Sequence, residues 1–117
     1  MSSKASELLI GQWIDPKSAK IRTHQSVMRD MAQNRVVLLG ERHDRYDIHR
    51  WQMHICASLL ALRDDLAIGF EMFPRRLQPV LDEWVAGKLE AEQFLEKAEW
   101  GKVWGFDADL YLSLIHI

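Results

Sequence analysis

The chain has 117 residues, 48% hydrophobic and 27% charged, which is the balance of one ordinary globular domain and argues against disorder. Its 15 basic and 17 acidic residues give a formal net charge of −2, so no basic surplus points to nucleic acid or to an anionic membrane. The single cysteine, Cys56, excludes an internal disulfide and a C-x-x-C metal site, and its apolar helical surroundings predict a buried side chain.

The amino-terminal segment has neither a long apolar core nor a small-residue cleavage pattern, so it does not read as a secretory signal. No stretch approaches the ~18 apolar residues of a membrane span. We therefore expect a cytoplasmic location for the chain as written. Asp15-Pro16 closes a short extended or turn segment, and Thr23 is a good N-cap for a helix over residues 24–33.

An unbroken apolar run, V-V-L-L at 36–39, predicts a strand buried on both faces, as in a parallel sheet. Gly40 allows a sharp turn, after which Glu41, Arg42 and His43 follow directly. Asp44 is the predicted N-cap of the next helix, with Asp47 in its first turn. The residues that recur at helical spacing and predict its buried stripe are Ile48, Trp51, Ile55, Leu59 and Leu62.

A second buried strand is predicted over residues 66–73, so strand, helix and strand form a right-handed βαβ unit. Parallel neighbours bring their carboxyl ends together, which predicts that Glu41, His43 and Glu71 converge at the edge where ligands bind. Two carboxylates and an imidazole can hold a metal ion or act as a general acid/base set. Alternatively, the carboxylates pair with Arg42 or Arg75 and only order the loops.

The remaining elements are predicted to be helical. Gln78-Pro79 opens one helix that Gly87 ends, a second spans residues 89–98, and Asp107 is a further N-cap. Trp100 and Trp104, in a Gly-broken segment, either pack in the core or, as the aromatic residues best placed for it, line a ligand site.

Three motifs carry a family resemblance. They are G-E-R-H-D at 40–44 with His49 and Gln52 on the following helix, G-F-E-M-F-P-R at 69–75, and W-G-F-D-A-D-L-Y at 104–111. Together they resemble the ChaN-like haem-binding uptake family of the wider Tiki/erythromycin-esterase-like superfamily. The resemblance covers residues 36–112 and implies a three-layer α/β/α fold with a mainly parallel sheet.

The resemblance implies a bacterial haem-binding module for iron or haem uptake that does no chemistry on its ligand. Tyrosine-ligated haem is associated with the family, which makes Tyr46 and Tyr111 candidates; the alternative for each is ordinary half-buried packing. Arg75 offers a forked donor that suits haem propionates. His43 is a further candidate for the haem site. His49 is a second ligand, a group that orients His43, or a partly exposed histidine.

The alternative that the superfamily implies is a hydrolase using Glu41, His43 and Glu71, with a divalent metal or without one. The spacing here, G-E-x-H, is one residue shorter than the G-E-x-x-H of erythromycin-esterase-like members. The third hypothesis is that the chain is a degenerate family member that binds no ligand. Family members are often membrane-anchored lipoproteins, and a homodimer is left open.

From the resemblance we also expect residues 1–117 to be one incomplete, amino-terminal part of a ChaN-like domain. The family leads us to expect a proline near Ser113, a continuing helix and several more strands. The tail at 113–117 is therefore interpreted as non-native sequence. A two-stranded sheet rarely sustains itself, so the expected domain needs further strands.

Overall fold

The computed structural model describes residues 9–116, and the chain divides into two compact units, Met1–Val37 and Leu38–Ile117. The first unit contains an antiparallel hairpin of β1, Trp13–Ile14, and β2, Ile21–Arg22. Its turn is held by the Asp15 carboxylate, which accepts hydrogen bonds from the Lys17 backbone N–H at 2.9 Å and the Ser18 hydroxyl at 2.8 Å. The extended segment β1 therefore ends before Asp15-Pro16, as predicted.

Helix α1, His24–Ala32, completes the first unit and matches its prediction to within one residue. It begins after Thr23, because the Thr23 hydroxyl accepts a hydrogen bond from the Ser26 N–H at 3.2 Å and so satisfies one of the free amides of the first turn. The predicted signal-free amino terminus at 1–8 lies outside the described residues.

The second unit is helical in its described part. Its α-helices are α2, Tyr46–Leu60, α3, Gln78–Val85, α4, Ala91–Lys97, α5, Trp100–Val103, and α6, Leu112–Ile115. Short 3₁₀ turns at Arg75–Leu77 and Ala108–Leu110 precede α3 and α6. None of the helices within residues 9–116 combines the length and the apolar character that crossing a membrane requires.

Helix α2 begins one residue later than predicted. Its N-cap is Arg45, which makes no side-chain capping bond, and not Asp44. Asp47 does lie in the first turn, where the Arg45 guanidinium binds it at 2.9 and 2.7 Å. This contact is the main reason that the pKa of Asp47 is lowered.

The buried stripe of α2 is rotated by about one residue from the prediction. Ile55 and Leu59 are buried as expected, whereas Leu62 is half exposed. Two polar residues, His49 and Gln52, take places on the buried face, and Cys56 is buried as predicted. Counting only apolar residues misplaces the stripe, because these two polar side chains are buried through hydrogen bonds.

Helices α3 and α4 follow their sequence signals. Pro79 lies in the first turn of α3, and Gly87 beyond its end has a positive φ of 67°, which suits glycine. Glu90 and Gln93 form a reciprocal capping box at the start of α4. The predicted cap at Asp107 is also confirmed, since its carboxylate accepts the Asp109 N–H at 3.0 Å.

The two predicted buried strands are not strands in the described residues, and this prediction is wrong there. At 36–39, Val36 is 72% and Leu38 is 89% exposed. At 66–70, exposure alternates residue by residue, and no strand pairing is present. A strand buried on both faces needs hydrogen-bonded neighbours, which residues 9–116 do not supply. The only sheet in the described chain is the β1–β2 hairpin, so a parallel three-layer sheet is not seen.

The core of the second unit is aromatic. It is the cluster of Met72, Phe94, Ala98, Trp100, Tyr111 and Ile115. Helix α2 also packs against α6 in this unit. The chain segments that carry Glu71 and Tyr111 are thus anchored by the core.

Candidate functional site

The Glu41 carboxylate is the centre of a polar cluster in the second unit. Its Oε1 atom lies 2.7 Å from His43 Nδ1 and 3.3 Å from the Tyr111 hydroxyl. Its Oε2 atom lies 2.9 Å from His49 Nδ1. One carboxylate therefore joins two histidines and a tyrosine that comes from the far end of the chain.

His43 occupies the exposed side of this cluster. Because a carboxylate only accepts hydrogen bonds, the contact with Glu41 places the ring proton on Nδ1 and leaves the lone pair on Nε2. The imidazole is 37% exposed. Its ring lies 4.9 Å from the rings of both Trp104 and Phe106, measured between centroids. An imidazole in this setting presents a ligand nitrogen beside an aromatic wall.

Two side chains of α2 hold the loop that carries Glu41 and His43. Gln52 Nε2 donates to the Leu39 carbonyl at 3.2 Å and contacts the Gly40 carbonyl at 3.4 Å. His49 Nε2 lies 3.1 Å from the His43 carbonyl and, since that oxygen can only accept, carries the proton. The spacing of three residues puts both side chains on one helix face, and the loop conformation follows from these contacts.

Both ring nitrogens of His49 face other groups of the protein. Its side chain is 2% exposed, and its ring lies 4.2 Å from the Tyr111 ring. With Nε2 bonded to the His43 carbonyl, Nδ1 faces Glu41 Oε2 without a well-aligned hydrogen bond. Of the predicted roles for His49, the structure places it where it orients the loop of His43, and not as an exposed ring.

Tyr111 is also buried, with 1% of its surface exposed. Its hydroxyl lies 3.3 Å from both Glu41 Oε1 and the His43 carbonyl. Burial raises the pKa of the Tyr111 phenol; the nearby Trp104 indole opposes this, and the Glu41 carboxylate adds to it. The Tyr111 hydroxyl is thus placed to share its proton between these two acceptors.

Glu71 completes the cluster that the sequence predicts. One ligand atom each from Glu41, His43 and Glu71 lies within 4.8 Å of the others. In residues 9–116 neither carboxylate is paired with Arg42 or Arg75. The structure therefore brings these three side chains together. The alternative prediction, in which the carboxylates pair with arginines and only order the loops, is not seen in the described residues.

The other two candidates are exposed side chains that make none of the contacts described for the Glu41 cluster. Tyr46, at the start of α2, is 55% exposed. Arg75 is exposed and lines a groove of about 330 Å³ whose other residues include Phe70, Phe73 and Trp84. The groove shares no lining residue with the Glu41 cluster.

The aromatic wall comes from the W-G-F-D segment. Trp104 is half-buried beside His43, whereas Trp100 is in the core. That Trp104 lines a ligand site stays a prediction. The Trp100 indole N–H donates to the Phe106 carbonyl at 2.8 Å and so fixes the loop. Phe106 and the contact between Tyr111 and Glu41 were not predicted, because no local pattern reports a contact between residues 70 positions apart.

Comparison with known families decides the relationship. The model of the family described as haem-binding uptake, Tiki superfamily, ChaN, matches residues 27–117. The chain belongs to this family. The resemblance recognised from the three motifs is thereby confirmed. No curated protein and no solved structure matches the chain.

One side chain of the Glu41 cluster, His43, has the chemistry of a haem-iron ligand. A histidine whose Nδ1–H is held by a carboxylate presents Nε2 in a fixed direction, which is the arrangement found behind many metal-bound histidines. His43 has this arrangement, and it is partly exposed beside two aromatic rings. His49 and Tyr111, the other candidates in this cluster, are buried and hydrogen-bonded to the loop.

Proposed function

We propose that this ChaN-family chain binds haem and that His43 ligates the iron through Nε2. The observation that carries the proposal is the 2.7 Å contact between His43 Nδ1 and Glu41 on a partly exposed imidazole. Axial ligation by histidine is among the common ways in which proteins hold haem iron. The family description, haem-binding uptake, supports haem as the ligand.

Each residue of the cluster has a stated task in this proposal. Glu41 fixes the ring orientation and tautomer of His43, and Gln52 and His49 fix the loop. Trp104 and Phe106 flank the imidazole and exclude water from one side. Haem is the cargo here, so the chain binds and orients it and performs no reaction on it, in line with a role in bacterial iron or haem uptake.

The proposal extends to the fold. Membership of the ChaN family supports a three-layer α/β/α arrangement with a mainly parallel sheet, for which residues 9–116 supply helices and no parallel strands. We take residues 1–117 as part of one such domain. Homodimer formation stays a prediction.

The test is a haem titration of the protein followed by the Soret band. We expect a saturable, shifted Soret band for the parent protein and at least about 100-fold weaker binding for His43→Ala, beyond the range for loss of an outer partner. His54→Gln on the exposed side of α2 is the matched control and should bind as the parent does. Binding that is unchanged in His43→Ala and lost in Tyr46→Phe would assign the iron to Tyr46 and contradict the proposal.

A metal-dependent hydrolase is the second candidate, favoured by one observation. The carboxylates of Glu41 and Glu71 and the imidazole of His43 converge within 4.8 Å. Oxygen and nitrogen donors of this kind suit a divalent ion, which could activate water for hydrolysis.

The two candidates differ in what they require of Glu71. A metal site needs its carboxylate, so Glu71→Gln should weaken Zn²⁺ binding by about 10-fold or more in a calorimetric titration. Haem binding through His43 should survive that change. Stoichiometric Zn²⁺ binding that Glu71→Gln abolishes, in a protein that does not bind haem, would favour the hydrolase.

A further inference from the structure

The groove that Arg75 lines, which we call the Arg75 groove, has the character of a small-molecule site. Its volume of about 330 Å³ is at the lower end of the range for such sites. Most of its lining residues are apolar, and three of them, Phe70, Phe73 and Trp84, are aromatic. None of the lining residues belongs to the Glu41 cluster, so the groove calls for a ligand of its own.

The aromatic walls of the groove rest on the core and are preformed. The ring of Phe94, which is fully buried, lies 6.0 Å from that of Phe73 and 4.7 Å from that of Trp84, measured between centroids. The Trp84 indole N–H donates to the Ile115 carbonyl at 3.1 Å, which fixes the ring. By contrast, the lining residue Val85 is 81% exposed. Part of the apolar lining is therefore open to a ligand.

The lining has two side chains with a charge or an amide, Arg75 and Gln78, and they differ in their partners. Gln78 Nε2 donates to the Asp82 carboxylate at 2.8 Å. The Arg75 side chain forms no ion pair in the described part of the chain, whereas the next residue, Arg76, is paired with Glu99. The groove therefore carries one positive charge that no protein carboxylate neutralises. A guanidinium matches a carboxylate through two parallel N–H donors.

We propose that the Arg75 groove binds a small amphipathic monocarboxylate. Its apolar body lies along the aromatic walls, and its carboxylate meets the Arg75 guanidinium. One guanidinium neutralises one negative charge, and the Asp82 carboxylate on Gln78 disfavours a head group of higher charge, such as a phosphate dianion. The inference goes beyond the proposed function and does not depend on it, because no residue of the groove has a task in the ligation of haem by His43.

Calorimetric titration of the full chain with decanoate, below the concentrations at which it forms micelles, tests the site. We expect saturable, stoichiometric binding that is about fivefold or more tighter than that of octanoate, because each methylene removed from water adds affinity. Decyltrimethylammonium has the same chain with a positive head group and should bind at least about fivefold more weakly than decanoate. Lack of saturable decanoate binding, or equal affinity for the two head groups, would overturn the inference.

Reversal of the charge at Arg75 tests the contact with the head group. Arg75→Glu should invert the preference, so that decyltrimethylammonium binds more tightly than decanoate. Arg76→Ala is the matched control and should keep the preference of the parent protein, because its guanidinium is engaged with Glu99. Both arginines are exposed, so the variants should keep the fold. An unchanged preference in Arg75→Glu would show that this guanidinium does not recognise the carboxylate, and the inference would be wrong.

A change at Val85 tests whether the ligand lies in the groove. Val85→Asp should bind decanoate about fivefold more weakly than the neutral variant Val85→Asn, because the new carboxylate repels that of the ligand. Val36→Asp is the control, since Val36 is 72% exposed and does not line the groove. Equal decanoate affinities of the two Val85 variants would overturn the inference. Release of bound decanoate by saturating haem would do so too, because the groove would then belong to the haem site.

Discussion

The two histidines on Glu41 share one carboxylate, but they lie in different surroundings. His43, with Trp104 and Glu71, forms what we call the rim of the site, which is partly exposed. His49 and Tyr111 are buried beneath it and, with Gln52, form the floor. Both floor rings and the Gln52 amide hydrogen-bond to the loop, whereas His43 Nε2 bonds to no described residue. Under the proposed function, the floor therefore serves stability and the rim serves binding.

Truncating the floor should give the largest effect. Tyr111→Ala removes a fully buried aromatic ring from the core, which should lower the free energy of unfolding by about 3–5 kcal/mol in urea denaturation. Tyr46→Ala is the matched control, because Tyr46 is 55% exposed and should cost less than about 0.5 kcal/mol. Equal losses for the two tyrosines would erase the distinction between floor and rim.

The amide of Gln52 should have the next largest effect on stability. Gln52→Leu leaves the carbonyls of Leu39 and Gly40 without their donor, but it also removes a Gln52 oxygen that has no described partner. We expect a net loss of about 1–2 kcal/mol by the same denaturation. Gln33→Leu at the exposed end of α1 is the control. A fully stable Gln52→Leu protein would show that the loop does not depend on α2.

Alkaline pH should weaken the floor through Tyr111. Its pKa is raised above the ordinary 10.0 on folding, so its contribution is present below about pH 10 and is lost as the pH rises through the folded pKa. The advantage of the parent protein over Tyr111→Phe, about 1 kcal/mol for the hydroxyl near neutrality, should shrink towards pH 11. Denaturation midpoints at several pH values measure this. If the difference in stability between the parent protein and Tyr111→Phe grew with rising pH, the pKa of Tyr111 would be lowered on folding and not raised.

Arg75 should show the smallest effect. It is exposed, so a contact with a propionate would be screened by water. We expect Arg75→Ala to weaken haem binding by less than about 1 kcal/mol, roughly fivefold. Arg76→Ala, which removes an ion pair with Glu99, is the control and should not alter binding. A 100-fold loss of haem affinity in Arg75→Ala would indicate that haem binds in the groove and not at His43.

Part of this organisation follows from the sequence alone. Helix starts at Thr23 and Pro79 were predictable because capping and proline effects act within one turn. The convergence of Glu41, His43 and Glu71 was predicted from a parallel βαβ unit, yet it occurs in the described residues without paired strands. The loop bonds from His49 and Gln52 and the core anchoring of Glu71's segment hold the cluster instead.

The division into floor and rim was not predictable. Nothing in the local sequence distinguishes Tyr46, which is exposed, from Tyr111, which is buried. The difference comes from packing between segments far apart in the chain, and the phenol of Tyr111 reaches Glu41 across 70 positions. Similarly, His49 is buried because its ring bonds to the His43 carbonyl. A pattern of hydrophobic residues along a helix cannot predict such a contact.

Resonance Raman spectroscopy of the ferrous, haem-loaded protein tests the central claim most directly. We predict an iron–histidine stretching band that shifts on ¹⁵N-histidine labelling, disappears in His43→Ala and moves to lower frequency in Glu41→Gln, because the ring loses its carboxylate partner. It should persist in His54→Gln. A labelled band that survives in His43→Ala, or a spectrum with no such band in the parent protein, would contradict ligation by His43.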